Sequence, residues 1–394
     1  MNPSLFKDAA SGKLVTVSQG EAAFHAFVPA PLPPELVLDA PLVRTLSEAD
    51  RAIGELAGVG RTIGNIRLFI SPFVRQEAVL SSRIEGTRTD LAGLYEFEAG
   101  QRPGDADAQE VFNYVKALEF GLERLQTLPV SLRLIREVHG MLMEGVRGGQ
   151  ATPGEFRRSQ NWIGGPGDTP ANARYVPPPV PEMLATLDRL EKYLHAPADL
   201  PPLVRLALIH YQFEAIHPFL DGNGRVGRLL MTLLLVSWEV LPHPLLNLSV
   251  YLEERRTEYY DHLMAVSAAG AWGAWLEFFL RGVAVQAQDA VLRARRLQDL
   301  RTGWLDVLQT HRASATSVRL MEALFDHPVL TIPAAQQLLG VGYPAAKANV
   351  DKLVDAGILS PIGEERYRKA FAAQDLMRIV AGKESGAAEL LFSE

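Results

Sequence analysis

Apolar residues recur every three or four positions along most of the chain, the spacing that lines one face of an α-helix. The pattern predicts helices over 42–86, 110–128, 132–144, 181–195, 203–216, 225–238, 253–267 and 272–308, the last long and charged enough to connect domains. Residues 1–40 depart from it. They are rich in Pro and Ala, show little periodicity and read as a segment draped over the body. Gln101-Arg-Pro-Gly-Asp-Ala-Asp107 breaks the chain. Between 157 and 179, two β-prone pieces around Asn161-Trp-Ile163 and Tyr175-Val-Pro flank a Gly/Pro/Asp-rich link, which predicts a hairpin or extended flap. It is the only β structure expected in the central helical body.

From 313 to 380 the order becomes helix 318–325, helix 332–339, turn 340–343, helix 344–356, then short β-like pieces at 358–360 and 366–371. The expected fold is mostly α. Its expected divisions are an N-terminal region 1–109, a helical core 110–285, a connector 286–312 and a last domain 313–394.

Composition narrows the class. A chain of 394 residues, 47% hydrophobic, can bury a substantial core in two or three domains. It has no cysteine, which excludes a disulfide framework, a thiolate metal site and a cysteine nucleophile. The N-terminus lacks the basic-then-apolar order of a signal peptide, and the densest apolar run, 229–238, is too short to span a bilayer. A cytoplasmic location without membrane attachment is expected. The net charge of −7 and pI near 5.8 give no general attraction to nucleic acid.

The candidate chemistry lies in His217-Pro-Phe-Leu-Asp-Gly-Asn-Gly-Arg-Val-Gly-Arg228. Gly222, Asn223 and Gly224 interrupt two helical segments where a new helix begins, so free N–H groups and a positive dipole end make an anion site. Arg225 and Arg228 stand at the start of that helix, where a cation is disfavoured by roughly 0.3–1 kcal/mol. Two such arginines imply an anionic partner. Asp221 is suited to Mg²⁺, which takes one or two carboxylates together with phosphate oxygens and water. An imidazole takes up a proton near neutral pH, which fits His217 for general-base work. A second reading makes His210, His217 and Asp221 ligands of a transition metal, since the two histidines are seven apart on one helical face.

The twelve residues 217–228 match the motif of Fic (Fic/DOC) proteins at every signature position, and the resemblance covers roughly residues 70–285. It implies a Fic-type helical core and transfer of AMP from ATP to a Ser, Thr or Tyr hydroxyl of a protein, this protein itself included, with release of pyrophosphate. His217 would be the base and Asp221 the Mg²⁺ ligand. The Gly222–Gly224 turn would cradle phosphate oxygens, with the Asn223 side chain on the α-phosphate and Arg225 and Arg228 on the β and γ phosphates. Phe219 reads as packing. Removal of AMP, transfer of another phosphate-linked group, and a nucleotide-sensing transcriptional regulator are the alternatives.

Ser81-Ser-Arg-Ile-Glu85-Gly86 ends a helix begun near residue 73, with Gly86 as the residue after the cap. It resembles the inhibitory-helix motif of the Fic class that carries this helix before the core. That class pairs the glutamate with the second active-site arginine, which implies a Glu85–Arg228 ion pair that holds activity low. Within the flap, Ile163 and Tyr175 are expected to grip a target segment added as a strand. Tyr260, beside Tyr259, takes the place of an aromatic near the adenine, whereas Ser267 stands where some relatives have asparagine. The last domain resembles a winged helix-turn-helix. Seven Lys/Arg against seven Asp/Glu between 313 and 380 leave it neutral, so protein contact or homodimerisation is favoured over DNA binding.

Overall fold

The computed structural model describes residues 1–8, 10–19, 22–62, 66–146, 152–197, 199–362 and 369–382. In chain order the elements are β1 Gly12–Gln19, β2 Ala22–Pro29, α1 Ala40–Thr62, α2 Arg67–Ile84, α3 Leu91–Glu98, α4 Ala106–Arg124, α5 Leu132–Leu142, α6 Val180–His195 and α7 Pro202–Ile216. Then follow α8 Asn223–Ser237, α9 Leu248–Glu254, α10 Arg256–Ala269, α11 Trp272–Thr310, α12 Ala315–Ala323, β3 Val329–Thr331, α13 Ile332–Leu339, α14 Tyr343–Asp355, β4 Ser360–Ile362, β5 Ala370–Ala372 and α15 Gln374–Ala381. The fold is mostly helical, as the periodicity predicts. Among the described residues no helix is long and apolar enough to cross a membrane.

The chain forms two compact units, one of residues 1–54, 116–241 and 248–285, the other of residues 55–115, 242–247 and 286–394. In the first, α7 is buried on almost every face, with Leu203, Leu206, Ile209, Phe213 and Ile216 all at or below 1% exposure. A helix apolar all round belongs at the centre of a bundle. It packs against α6, α8, α10 and β2. Trp275 anchors it from α11, donating from Nε1 to the Ala207 carbonyl at 3.1 Å.

The N-terminal segment differs from the expectation. Strands β1 and β2 pair antiparallel from Gly12↔Pro29 to Gln19↔Ala22. The Phe27 N–H donates to the Val176 carbonyl at 2.8 Å, and its ring meets Phe6 at 5.2 Å and Tyr175 at 6.1 Å. Alanines at 22, 23 and 26 dilute the β-forming signal of Val15, Val17, Phe24 and Phe27, so the strands are poorly marked in sequence. The flap, by contrast, is a single antiparallel bridge, Ile163↔Tyr175, with the intervening turn held by the Asp168 and Asn172 side chains.

In the second unit α2 and α3 pack with α15, and α12, α13 and α14 pack on one another. The three-stranded antiparallel sheet runs β3-β5-β4. The helix-helix-turn-helix order is met; β3 and α15 are additions. Of the second expected β piece, residues 370–371 are in β5 while 366–368 lie outside the described residues.

Candidate active site

The motif loop leaves α7 at His217, whose N–H closes the helix on Phe213 O at 3.0 Å in a left-handed conformation with φ 49° and ψ 62°. A non-glycine residue there is strained and must be held by its surroundings. The hold comes from the loop's carbonyls. That of His217 accepts from Arg157 Nε at 3.0 Å, that of Pro218 from the Arg157 backbone N–H at 2.9 Å, and that of Phe219 from Asn161 Nδ2 at 2.8 Å. That of Asp221 faces His139 Nε2 at 3.1 Å. Since the Gly154 N–H donates to His139 Nδ1 at 2.9 Å, the imidazole is the Nε2–H tautomer and donates to Asp221. Its ring stacks on Phe219 with centroids 3.7 Å apart. Phe219 is fully buried and, as expected, packing.

Asn223 has a part in the loop that the sequence does not reveal. Its Oδ1 accepts from the Phe219 N–H at 2.8 Å and its Nδ2 donates to the Phe219 carbonyl at 2.9 Å, with the side chain 2% exposed. Both ends of the amide hold the loop, with one N–H of Nδ2 left over. Gly222 caps α8 at φ 80°, and a Cβ there would meet Met143 Sδ at 2.9 Å. The N–H groups of Asn223, Gly224 and Arg225 have no intrahelical acceptor at this end of α8. Arg225 and Arg228 are 4% and 1% exposed; Arg225 reaches Met143 Sδ at 3.8 Å and Asp221 at 3.6 Å. The Asp221 side chain is 56% exposed, and among the described residues its only hydrogen bond is at Oδ1, from the Gly222 N–H at 2.6 Å. An open carboxylate oxygen beside an anion-attracting helix start is a hard donor set that fits Mg²⁺ carried by phosphates.

His210 is spoken for. Nε2 lies 2.8 Å from the Tyr259 hydroxyl and Nδ1 3.4 Å from the Gly227 carbonyl, so the Tyr259 O–H donates and Nδ1–H faces Gly227. Among the described residues no group of three His, Asp or Glu side chains is placed to hold a metal ion, which removes the transition-metal reading of His210, His217 and Asp221. Burial, with Arg228 adding repulsion, pushes the His210 pKa down to about 3; burial likewise takes His139 to about 4. Both imidazoles are neutral when folded and bind protons near 6.5 when unfolded. Their contribution is full above pH 6.5 and erodes as the pH falls towards 4. Each is expected to cost on the order of 2 kcal/mol of stability by pH 5. Urea denaturation at pH 7 and pH 5 checks this, since His210→Gln should lose less stability on acidification than wild type; an equal loss would refute it.

The other expected residues are placed as follows. Tyr175 is 7% exposed and its hydroxyl donates to the Ala215 carbonyl at 2.8 Å, so its ring serves the interior and cannot grip a target. Ile163, at 39%, is exposed beside Trp162 at 42%. Tyr260 is half-buried under the Arg256 guanidinium, 5.9 Å from its ring centroid. Ser267 is buried and its hydroxyl pairs with that of Tyr211 at 2.9 Å. In the second unit Ser81 is fully buried, while Glu85 is exposed as the C-cap of α2, followed by Gly86 at φ 107°. The sequence reading missed the scaffold of His139, Arg157 and Asn161. A histidine inside the apolar stripe Leu134, Ile135, Val138, Leu142 was its one legible sign.

The sequence matches the Fic/DOC family N-terminal region over residues 43–123 and the Fic/DOC family over residues 129–235. It is 26% identical over 230 residues to a protein adenylyltransferase Fic of Drosophila yakuba, and 29% identical over 190 residues to the protein of that name in Drosophila grimshawi. These matches span 56% and 46% of this chain but only 42% and 35% of the fly proteins. The crystal structure of a Fic family protein from Desulfovibrio desulfuricans G20 has the same fold, with a TM-score of 0.53 and 22% identity over 86% of this chain and 98% of that one.

Proposed function

Over residues 43–235 the chain belongs to the Fic/DOC family, and from that membership and the geometry of its motif loop we propose that it is a protein adenylyltransferase. The observation that carries this reading is the loop from His217 to Gly222, pinned through four of its carbonyls, ahead of a helix start that buries two arginines. Pinning supports preorganisation, which supplies catalysis by position and charge in phosphoryl chemistry. In the reaction proposed, His217 accepts the proton of a Ser, Thr or Tyr hydroxyl. The oxygen bonds to the α-phosphorus of ATP, the bond to the bridging oxygen breaks, and pyrophosphate leaves. Arg225, Arg228 and the first N–H groups of α8 bind its charge. Mg²⁺, held by Asp221, neutralises phosphate charge when bound.

The target is proposed to dock along the flap edge at Ile163 and Trp162, and Tyr260 to face the adenine. We read Glu85, with Ser81 behind it, as a brake that pairs with Arg228. The C-terminal helices are read as a winged helix used for protein contact, itself included. Asn349 of α14 supports this over DNA reading, because its Oδ1 accepts from Ser317 Oγ at 2.7 Å and its Nδ2 donates to the Ala345 carbonyl at 2.8 Å. A cytoplasmic location is part of this reading.

Parallel incubations with Mg²⁺ and ATP labelled at the α or the γ phosphate test the reaction. Label on protein from α-labelled ATP alone is the expected result. Label from the γ position would mean phosphate transfer, and AMP released from a modified target in place of any labelling would mean the reverse activity.

A further inference from the structure

Helix α2 carries Glu85 at its end, and its body is fixed to the C-terminal part of its own compact unit by Arg293 of α11. This arginine is 2% exposed, and its Nη2 pairs with Asp289. Nη1 donates to Gln76 Oε1 and, at 3.1 Å, to the carbonyl of Val380 in α15. The same guanidinium lies over the Phe73 ring, 5.5 Å from its centroid. Gln76 Oε1 accepts a second hydrogen bond from Asn247 Nδ2 at 2.7 Å. One turn earlier the Phe69 ring meets Phe325 edge-on at 5.7 Å, and Phe325 in turn meets Trp304 at 5.7 Å. Arg75, paired with Glu98 at 2.9 Å, also faces Asp326 at 3.6 Å.

Packing alone does not call for an arginine here. A buried guanidinium loses its hydration, and apolar side chains packed to a similar volume would fill the space without that loss. What the planar fork supplies is registry, because its hydrogen bonds hold only while α2 and α15 keep one relative position. An apolar contact tolerates sliding; this one does not. Gln76 stands nine residues before Glu85, about 13 Å along the helix, and a helix transmits its position over that length as a rigid rod.

We infer that Arg293 is a positioning residue for the Glu85 brake: it ties α2 to α15, so that displacement of the C-terminal segment shifts Glu85 and raises transfer. The inference rests on the proposed role of Glu85. It assigns the C-terminal helices the part of a handle on the active site, whatever macromolecule engages them.

The test places Arg293→Met and Gln76→Met each in the wild-type chain and in a Glu85→Gly chain, and reads label from α-labelled ATP. Each is expected to raise labelling roughly five- to tenfold alone, the lower end of coupling between sites. In the Glu85→Gly background, where no brake remains, neither should change it by more than about 1.5-fold. Arg293→Lys, which keeps the charge beside Asp289 but loses the fork, should fall between. Hydrogen exchange over residues 77–85 should quicken in both methionine variants. Equal changes in the two backgrounds, or unaltered exchange over 77–85, would overturn the inference while leaving the brake intact. No rise with Glu85→Gly itself would overturn both, and separates failure of the brake from failure of the clamp. Should Arg293→Met not fold, Gln76→Met carries the same comparison.

Discussion

Glu85→Gly is expected to raise the transfer of label from α-labelled ATP onto the protein by about ten- to a hundredfold. Glu85 caps the C-terminal end of α2, where the helix presents its negative pole and a carboxylate is disfavoured by roughly 0.3–1 kcal/mol. Arg225 stands at the opposite kind of end, in the first turn of α8, and is disfavoured there by a similar amount, while Arg228 lies in the second turn and is a buried cation. Each misplaced charge is relieved by a partner of the other sign: phosphate for the arginines when nucleotide is bound, and in the proposed resting state Glu85 for Arg228. Holding ninety-nine molecules in a hundred in the resting state needs about 2.7 kcal/mol, which sets the hundredfold ceiling. Glu85 is exposed, so its loss leaves no cavity, and the thermal midpoint should move by only a few degrees. Glu85→Gln separates charge from flexibility; it should reproduce most of the rise. An unchanged or lower rate in both variants sinks the brake. Arg228→Ala would be a poor substitute, since it removes the contact and a phosphate ligand together.

What the sequence disclosed, and what it did not, divides along physical lines. The helices were legible because an amphipathic or buried helix leaves a period that survives substitution, and α13, at Ile332–Leu339, fell where the spacing put it. The motif loop was legible because a histidine, an acid, a glycine-rich turn at a helix start and two arginines fall within twelve residues and together match a known motif. Strands β1 and β2 escaped notice because β-forming tendency is contextual, and what stabilises Phe27 is a carbonyl at Val176 and two distant rings. Asn223 was read as a phosphate ligand by its place in the motif; its amide also matches the Phe219 backbone at both ends, a pairing visible only once the loop is closed. Tyr175 likewise looked like a surface aromatic on a flap until its hydroxyl found the Ala215 carbonyl. Arg157 is the most instructive case. One side chain holds His217 from a sequence distance of sixty residues, and no local pattern encodes such a bond.

That scaffold also governs what to expect when the proposed base is removed. His217→Ala should lower transfer by about 10²–10⁴-fold, the usual worth of a positioned general base. The loop should survive the change, because Arg157 and Asn161 hold the backbone of residues 217 and 219 rather than the imidazole. Arg225 and Arg228 are buried in α8 and owe their positions to that helix, so the affinity for ATP and Mg²⁺ should stay within about twofold, a loss in kcat with little change in nucleotide binding. A side chain that merely propped the loop would give the opposite split, with weaker binding and a lower thermal midpoint. His217→Asn sharpens the comparison, since asparagine accepts the left-handed backbone at least cost but cannot take the proton. Both variants belong in the Glu85→Gly chain, where the proposed brake no longer masks the chemistry. Transfer that persists undiminished in both would strip His217 of its role as base, and would leave the pinned loop and its arginines as a nucleotide-binding site whose reaction is driven by another group.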